Sequence, residues 1–166
     1  WVNFFTFEKI QSIFTNNYGS SVNDRAFRAE DAGGGTQVIT FRFADDANTN
    51  FTSLQSSIAL YNRTNYHVAF TWNNNPMERR IYVNGIKVAN TTIGFLTPSV
   101  FHNFSIGRGV AGDSRDLNGT VDDFALRNRT LSEREIRDIY MRGVVNLNLS
   151  VRSCDDINCS GESYID

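Results

Sequence analysis

The chain has 166 residues, 40% of them hydrophobic, and a net charge of -2, enough for one domain with a sizeable core. Nucleic acid is excluded because no basic stripe exists to neutralise a phosphate backbone. Membrane insertion is excluded because no apolar run approaches the roughly 18 residues of a spanning helix. Two cysteines are too few for a disulfide-rich scaffold or a four-Cys zinc site.

In chain order, Trp1 to Phe7 opens the sequence with no visible signal-peptide pattern and reads as an aromatic-rich strand. Val38 to Phe43 alternates apolar and polar residues once past Val38, the period of a half-buried strand. Ile58 to Tyr61 and His67 to Trp72 read as further strands. Arg80-Ile81-Tyr82-Val83 and Ile86-Lys87-Val88-Ala89 flank Asn84-Gly85. That dipeptide suits the two positive-φ positions of a type I′ turn and predicts a hairpin. Phe104 to Gly107 and Thr120 to Leu126 complete the strands, with polar loops at 16–25, 31–36, 44–50 and 111–116.

Ser132-Glu133-Arg134-Glu135 forms a capping box, with Thr130 and Glu133 as a competing start. Ile136, Ile139 and Tyr140 recur at helical spacing, and Gly143 can end the helix. Many strands and one short helix near 131–142 predict an all-β, two-sheet antiparallel sandwich. It spans residues 1–143. Residues 144–166 form a tail with strand character over Val144 to Arg152 and a small loop between Cys154 and Cys159. That tail is a final strand or the opening of a second module.

The stretch from Tyr66 to Tyr140 resembles the laminin G-like, concanavalin A-like lectin/glucanase jelly roll. The resemblance rests on Tyr66-His67-Val68-Ala69-Phe70-Thr71-Trp72, Ile81-Tyr82-Val83-Asn84-Gly85 and Ser105-Ile106-Gly107-Arg108-Gly109. It continues with Leu117-Asn118-Gly119-Thr120-Val121-Asp122-Asp123-Phe124, Arg127 to Ser132, and Glu135-Ile136. It implies a jelly-roll sandwich. The first 65 residues fit loosely. Such domains usually start with a strand before the one Trp1 occupies; either the chain is a fragment of something longer or another segment fills that place, and a missing strand would leave unpaired backbone edges. Val145, Leu147, Leu149 and Val151 share one face of a tail strand that either pairs within its own chain or is donated to another copy.

Eight Asn-x-Ser/Thr sequons occur, at Asn50, Asn62, Asn90, Asn103, Asn118, Asn128, Asn148 and Asn158, where about three arise by chance. The excess points to a secreted glycoprotein. The alternative is that asparagine-rich turns produce sequons as a by-product.

Asp122 shares the predicted inward strand face with Phe124 and Leu126, costly unless it is paired or bound. The resemblance implies a structural calcium there, with Asp113 or Asp116 contributing. The competing reading is a hydrogen bond to backbone amides or an arginine, and Asp123 faces solvent. Cys154 and Cys159 suit a short-loop disulfide in an oxidising compartment.

Trp72 followed by Asn73 and Asn74 offers a stacking ring with amide donors, a sugar-binding combination, or a core tryptophan beside a polar loop. His67 and His102 are isolated and read as structural, and Gly33-Gly34-Gly35 lacks the lysine and helix of a phosphate loop. The glucanase branch carries two glutamates around an aspartate on one strand, and no such spacing appears. Glu133 and Glu135 serve the helix, whereas Asp45-Asp46 and Asp155-Asp156 are turn pairs. No catalytic residue is expected.

Two functions follow. One is a non-enzymatic binding or adhesion module for carbohydrate or a cell-surface protein. The other is a structural subunit of a surface layer or filament, in which copies of the chain join by strand exchange.

Overall fold

The computed structural model describes residues 1–6, 9–15, 25–33, 36–44, 51–74, 77–92, 104–109 and 115–144. Eleven strands and one helix lie among them: β1 (Val2–Phe4), β2 (Gln11–Thr15), β3 (Arg25–Gly33), β4 (Thr36–Ala44), β5 (Phe51–Gln55), β6 (Asn65–Tyr66), β7 (Val68–Asn74), β8 (Met77–Val83), β9 (Ile86–Thr92), β10 (Ser105–Ile106), β11 (Gly119–Val121) and α1 (Glu133–Val144). All named pairings are antiparallel. One sheet runs β10-β2-β3-β4-β5. Facing it are β11-β1-β6 and β7-β8-β9, in chain continuity where His67 joins β6 to β7. This is the expected jelly-roll sandwich.

The core lies between the layers. Inward rows of Ile13, Phe27, Ile39 and Phe41 from one sheet meet Val2, Phe4, Ile81 and Val83 from the other, all buried. Phe41 and Phe70 stack across the interface at 3.3 Å between ring centroids. Removing this area from water is the main favourable term.

The Asn84-Gly85 turn forms as its residue types dictate, with φ of 50° and 75°. The capping box also forms: Ser132 Oγ accepts from the Glu135 amide at 3.3 Å, and a Glu135 carboxylate oxygen accepts from the Ser132 amide at 2.9 Å. Beneath the helix, Ile136 is fully buried. Glu133 pairs with Lys87 at 2.6 Å, tying α1 to β9.

Several expectations need correction. The strand expected over Thr120 to Leu126 stops at Val121, because Asp123 adopts a left-handed φ of 51° that breaks extended backbone. Phe124 and Leu126 are 40% and 54% exposed, although the Phe124 ring stacks on Phe14 at 5.9 Å, and Asp122 is exposed too. Ile58 to Tyr61 forms only a single bridge, Gln37 to Leu60. There the Ser56 hydroxyl accepts from the Ile39 amide and donates to the Ile58 carbonyl, holding the chain in a bend. Strand β3 continues to Gly33, through half of the expected 31–36 loop, and the turn is tightened by Thr36 Oγ1 donating to the Gly33 carbonyl. Gly143 lies inside α1 rather than ending it; a side chain there would collide with the Trp1 indole. The tail strand and the Cys154–Cys159 loop lie outside the described residues.

Candidate functional site

A cleft of about 850 Å³ opens among the described residues. Its floor is the inner face of the five-stranded sheet, where Phe14, Phe27 and Phe41 present rings. One wall is β7. The opposite wall is the run from Val121 to Leu131, and α1 contributes Ile136, Ile139, Arg142 and Gly143. Trp1 stands at one end. At the other, the Thr130 hydroxyl donates to the Trp72 carbonyl at 2.7 Å.

Pleating explains which β7 side chains reach this space from the core side. Val68, Phe70 and Trp72 share a face, and the Trp72 ring lies 5.8 Å from the Phe70 ring at an interplanar angle of 21°. The Trp72 side chain is half-buried and Asn73 is exposed. Both line the cleft, together with exposed Arg127 and Asn128. The backbone of Asn74 ends β7 in register with Met77; its side chain is outside the described residues.

The Trp1 end is an aromatic junction. His67 packs edge-on to Trp1 at 5.5 Å and against Tyr140 at 5.9 Å. Burial, with the nearby Trp1 ammonium as a second cause, lowers the His67 pKa to about 4. The imidazole is thus neutral at pH 7, and its Nδ1 makes no hydrogen bond among the described residues. It clamps β1, β7 and α1 together and has no acid or nucleophile partner among them.

Asp122 lies beside this junction. Its amide donates to the Trp1 carbonyl at 3.0 Å, its carbonyl accepts from the Trp1 ammonium at 2.7 Å, and its carboxylate accepts from the Asp123 amide at 2.9 Å. Asp116 instead accepts from the Gly109 amide at 3.0 Å. Asp113 is outside the described residues, which contain no group of three or more His, Cys, Asp or Glu able to hold a metal.

The helix carboxylates are committed elsewhere. Glu135 is held at a pKa of about 2 by the Arg129 guanidinium, then by the Ser132 amide and hydroxyl. The pKa of Glu133 is lowered by its hydrogen bond from Lys87. Of the sequons, Asn62, Asn90, Asn118 and Asn128 are exposed. Asn50, Asn103, Asn148 and Asn158 lie outside the described residues, as does His102.

Sequence reasoning singled out Trp72, Asn73 and Asp122, which the cleft brings to a single cavity, Trp72 and Asn73 at one end and Asp122 towards the other. It missed Arg127 and the phenylalanine floor. The floor was legible only as core, and Phe27 and Phe41 are buried there. No helix among the described residues is long and apolar enough to cross a membrane.

A family model described as the concanavalin A-like lectin/glucanases superfamily matches residues 1–137. No curated protein matches the chain. Among solved structures, it is similar to a protein from Bacteroides ovatus provisionally described as carbohydrate binding, with a TM-score of 0.61 and 24% identity. That match covers 82% of this chain and 38% of the Bacteroides protein, so the chain spans well under half of that relative's length. It is also similar to a heptameric SAP-like pentraxin from Limulus polyphemus, with a TM-score of 0.56, 13% identity, and coverage of 99% of this chain and 75% of the pentraxin. At these identities the likeness speaks for the fold alone.

Proposed function

The chain belongs to the concanavalin A-like lectin/glucanases superfamily, and from that premise we propose that it is a non-enzymatic, extracellular module that binds carbohydrate at the Trp72 end of its cleft. The observation that carries this reading is that a half-buried indole, Trp72, and exposed Asn73 and Arg127 all line one cleft. A pyranose presents an apolar C–H face and a polar hydroxyl rim. An aromatic ring takes the first, and amide and guanidinium donors take the second. The similarity to a protein described as carbohydrate binding agrees with this reading at the level of fold, and fold alone does not set function.

A binding role is favoured over hydrolysis because the glutamates of α1 serve its cap and its ion pairs. Glycoside hydrolysis needs two carboxyl groups facing each other across a substrate. An extracellular, glycosylated state is supported by the sequon excess and by the exposure of Asn62, Asn90, Asn118 and Asn128.

The test is a glycan array, run with calcium and with a chelator because Asp122 was the expected calcium ligand. Hits are followed by calorimetry on Trp72→Ala and Asn73→Ala. Binding to a defined glycan that weakens at least tenfold in Trp72→Ala, and less in Asn73→Ala, is expected. A flat array under both conditions, or a hit unaffected by either substitution, overturns the reading.

A further inference from the structure

The turn between Leu60 and β6 takes no part in the cleft. Asn62 and Arg63 form its bend, between Tyr61 and Thr64. Arg63 takes a φ of 56°, the left-handed value that the third position of a type II turn requires and that glycine or asparagine usually supplies. Three hydrogen bonds hold this costly backbone in place. The Arg63 amide donates to the Phe4 carbonyl at 2.6 Å, and the Leu60 amide to the Gln37 carbonyl at 2.7 Å. The Tyr61 amide donates to the hydroxyl of buried Tyr66 at 2.9 Å. The bend is thus fixed to β1, β4 and β6.

The side chains on this fixed bend face solvent. Tyr61 is 62% exposed. Among the described residues its ring touches no other ring and its hydroxyl has no hydrogen-bond partner. Asn62, Arg63 and Thr64 are exposed as well. Asn62-Arg63-Thr64 is one of the sequons. Its threonine hydroxyl donates to the Asn62 carbonyl at 3.4 Å, whereas the Asn62 carboxamide has no partner among the described residues. The other three exposed sequons differ. The Asn118 carboxamide already donates to the Thr6 hydroxyl at 2.9 Å. Asn90 is flanked by Ala89 and Thr91, and Asn128 by Arg127 and Arg129. Of these four, only Asn62 combines an uncommitted carboxamide with an exposed ring beside it.

We propose that Asn62 carries an N-linked glycan and that the exposed Tyr61 ring seats its first sugar. In the attachment step Asn62 Nδ2 loses one proton and bonds to C1 of a pyranose. The C1–O bond to a polyisoprenyl diphosphate donor breaks, and the diphosphate leaves with the electron pair. The linkage then stands one residue from an aromatic ring. The first and fourth Cα atoms of such a turn lie within about 7 Å, so Tyr61 and Thr64 flank it from both sides. The apolar C–H face of the sugar, stacked on the ring, removes from water the area that Tyr61 leaves exposed. Because the bend is already ordered by its three hydrogen bonds, little backbone entropy is lost when ring and sugar meet. The glycan at Asn62 is then a packed part of the fold as well as a solubilising coat. This inference rests on the glycosylated state proposed above and not on the sugar site at Trp72.

The full chain made in an N-glycosylating host tests this by glycopeptide mass spectrometry and thermal unfolding. Occupancy of Asn62 is expected. The occupied protein should melt about 2–4 °C above Thr64→Ala, which loses the sequon but keeps Tyr61 and Asn62. The same pair made in a host without N-glycosylation supplies the baseline and should differ little. The increment due to the glycan should vanish in a Tyr61→Ser background and survive in Tyr61→Phe, because the ring and not the hydroxyl seats the sugar. Tyr61 is exposed, so neither substitution threatens folding. An occupied Asn62 whose glycan adds the same increment in Tyr61→Ser overturns the proposal. A bare Asn62 on a chain glycosylated at other sequons overturns it while leaving the glycosylated state standing. A bare polypeptide mass overturns both.

Discussion

At the scale of single residues, Gly85 and His67 carry the sharpest expectations. Gly85 has φ of 75°, and an added Cβ would sit 2.9 Å from a Tyr140 ring carbon. Both the left-handed backbone and the contact oppose a side chain, so Gly85→Ala should cost about 1–2 kcal/mol, read as a lower urea midpoint with an unchanged slope. The His67 pKa falls from 6.5 to about 4 on folding, chiefly through burial. Between those values the unfolded chain binds the extra proton, so stability rises with pH across that window. This contribution is complete above pH 6.5 and is lost as pH falls towards 4. His67→Gln should flatten the pH dependence of the denaturation midpoint between pH 6.5 and 4 while leaving the carboxylate-driven loss at lower pH. An identical slope in the variant would contradict a neutral buried imidazole.

At the scale of elements, local chemistry decided what the sequence disclosed. The Asn84-Gly85 hairpin and the Ser132/Glu135 cap are written in a few adjacent residues, and both form. Ser132→Ala removes the hydroxyl that accepts from the Glu135 amide and should cost about 1 kcal/mol, seen in thermal or urea unfolding. Glu135 reaches back to the Ser132 amide and holds Arg129 at 2.6 Å, so the cap should weaken as pH falls from the ordinary carboxylate range towards 2. Elements defined by distant partners were not legible. Strand β3 carries Arg28, Glu30 and Asp31 among small residues and shows little apolar alternation. It becomes a strand because β2 and β4 flank it, and its Arg28 finds Glu30 at 2.5 Å. The run from Asp122 fails in the opposite sense: its alternation is strand-like, yet Asp123 turns the backbone.

At the scale of the whole molecule, the two layers are held together through a small set of rings. Phe41 stacks on Phe70 and neighbours Phe27, whose ring lies 6.2 Å from Phe70. Phe41→Ala should therefore cost about 3–5 kcal/mol and loosen both sheets at once, measured as a single cooperative transition at a much lower urea concentration. The site was only half legible for the same reason: Trp72 and Asn73 are adjacent in sequence, whereas the cleft that gives them a shape is closed by Thr130 from 58 residues away. The exposed sequons belong to this scale too, because Asn62, Asn90, Asn118 and Asn128 lie on surface that packing leaves open. Asn90 lies on β9, at the end of its sheet order, and Asn62 lies in a turn. An uncovered edge strand is a template for unwanted pairing, and a bulky hydrophilic glycan blocks that approach. Material from a glycosylating cell should therefore exceed the bare 18.8 kDa and return to it on enzymatic removal of N-glycans. Removal should also raise light scattering at a fixed concentration. A native mass equal to that of the bare polypeptide would leave edge protection to side chains alone, and the polar stretch Asn90-Thr91-Thr92 on β9 would have to supply it.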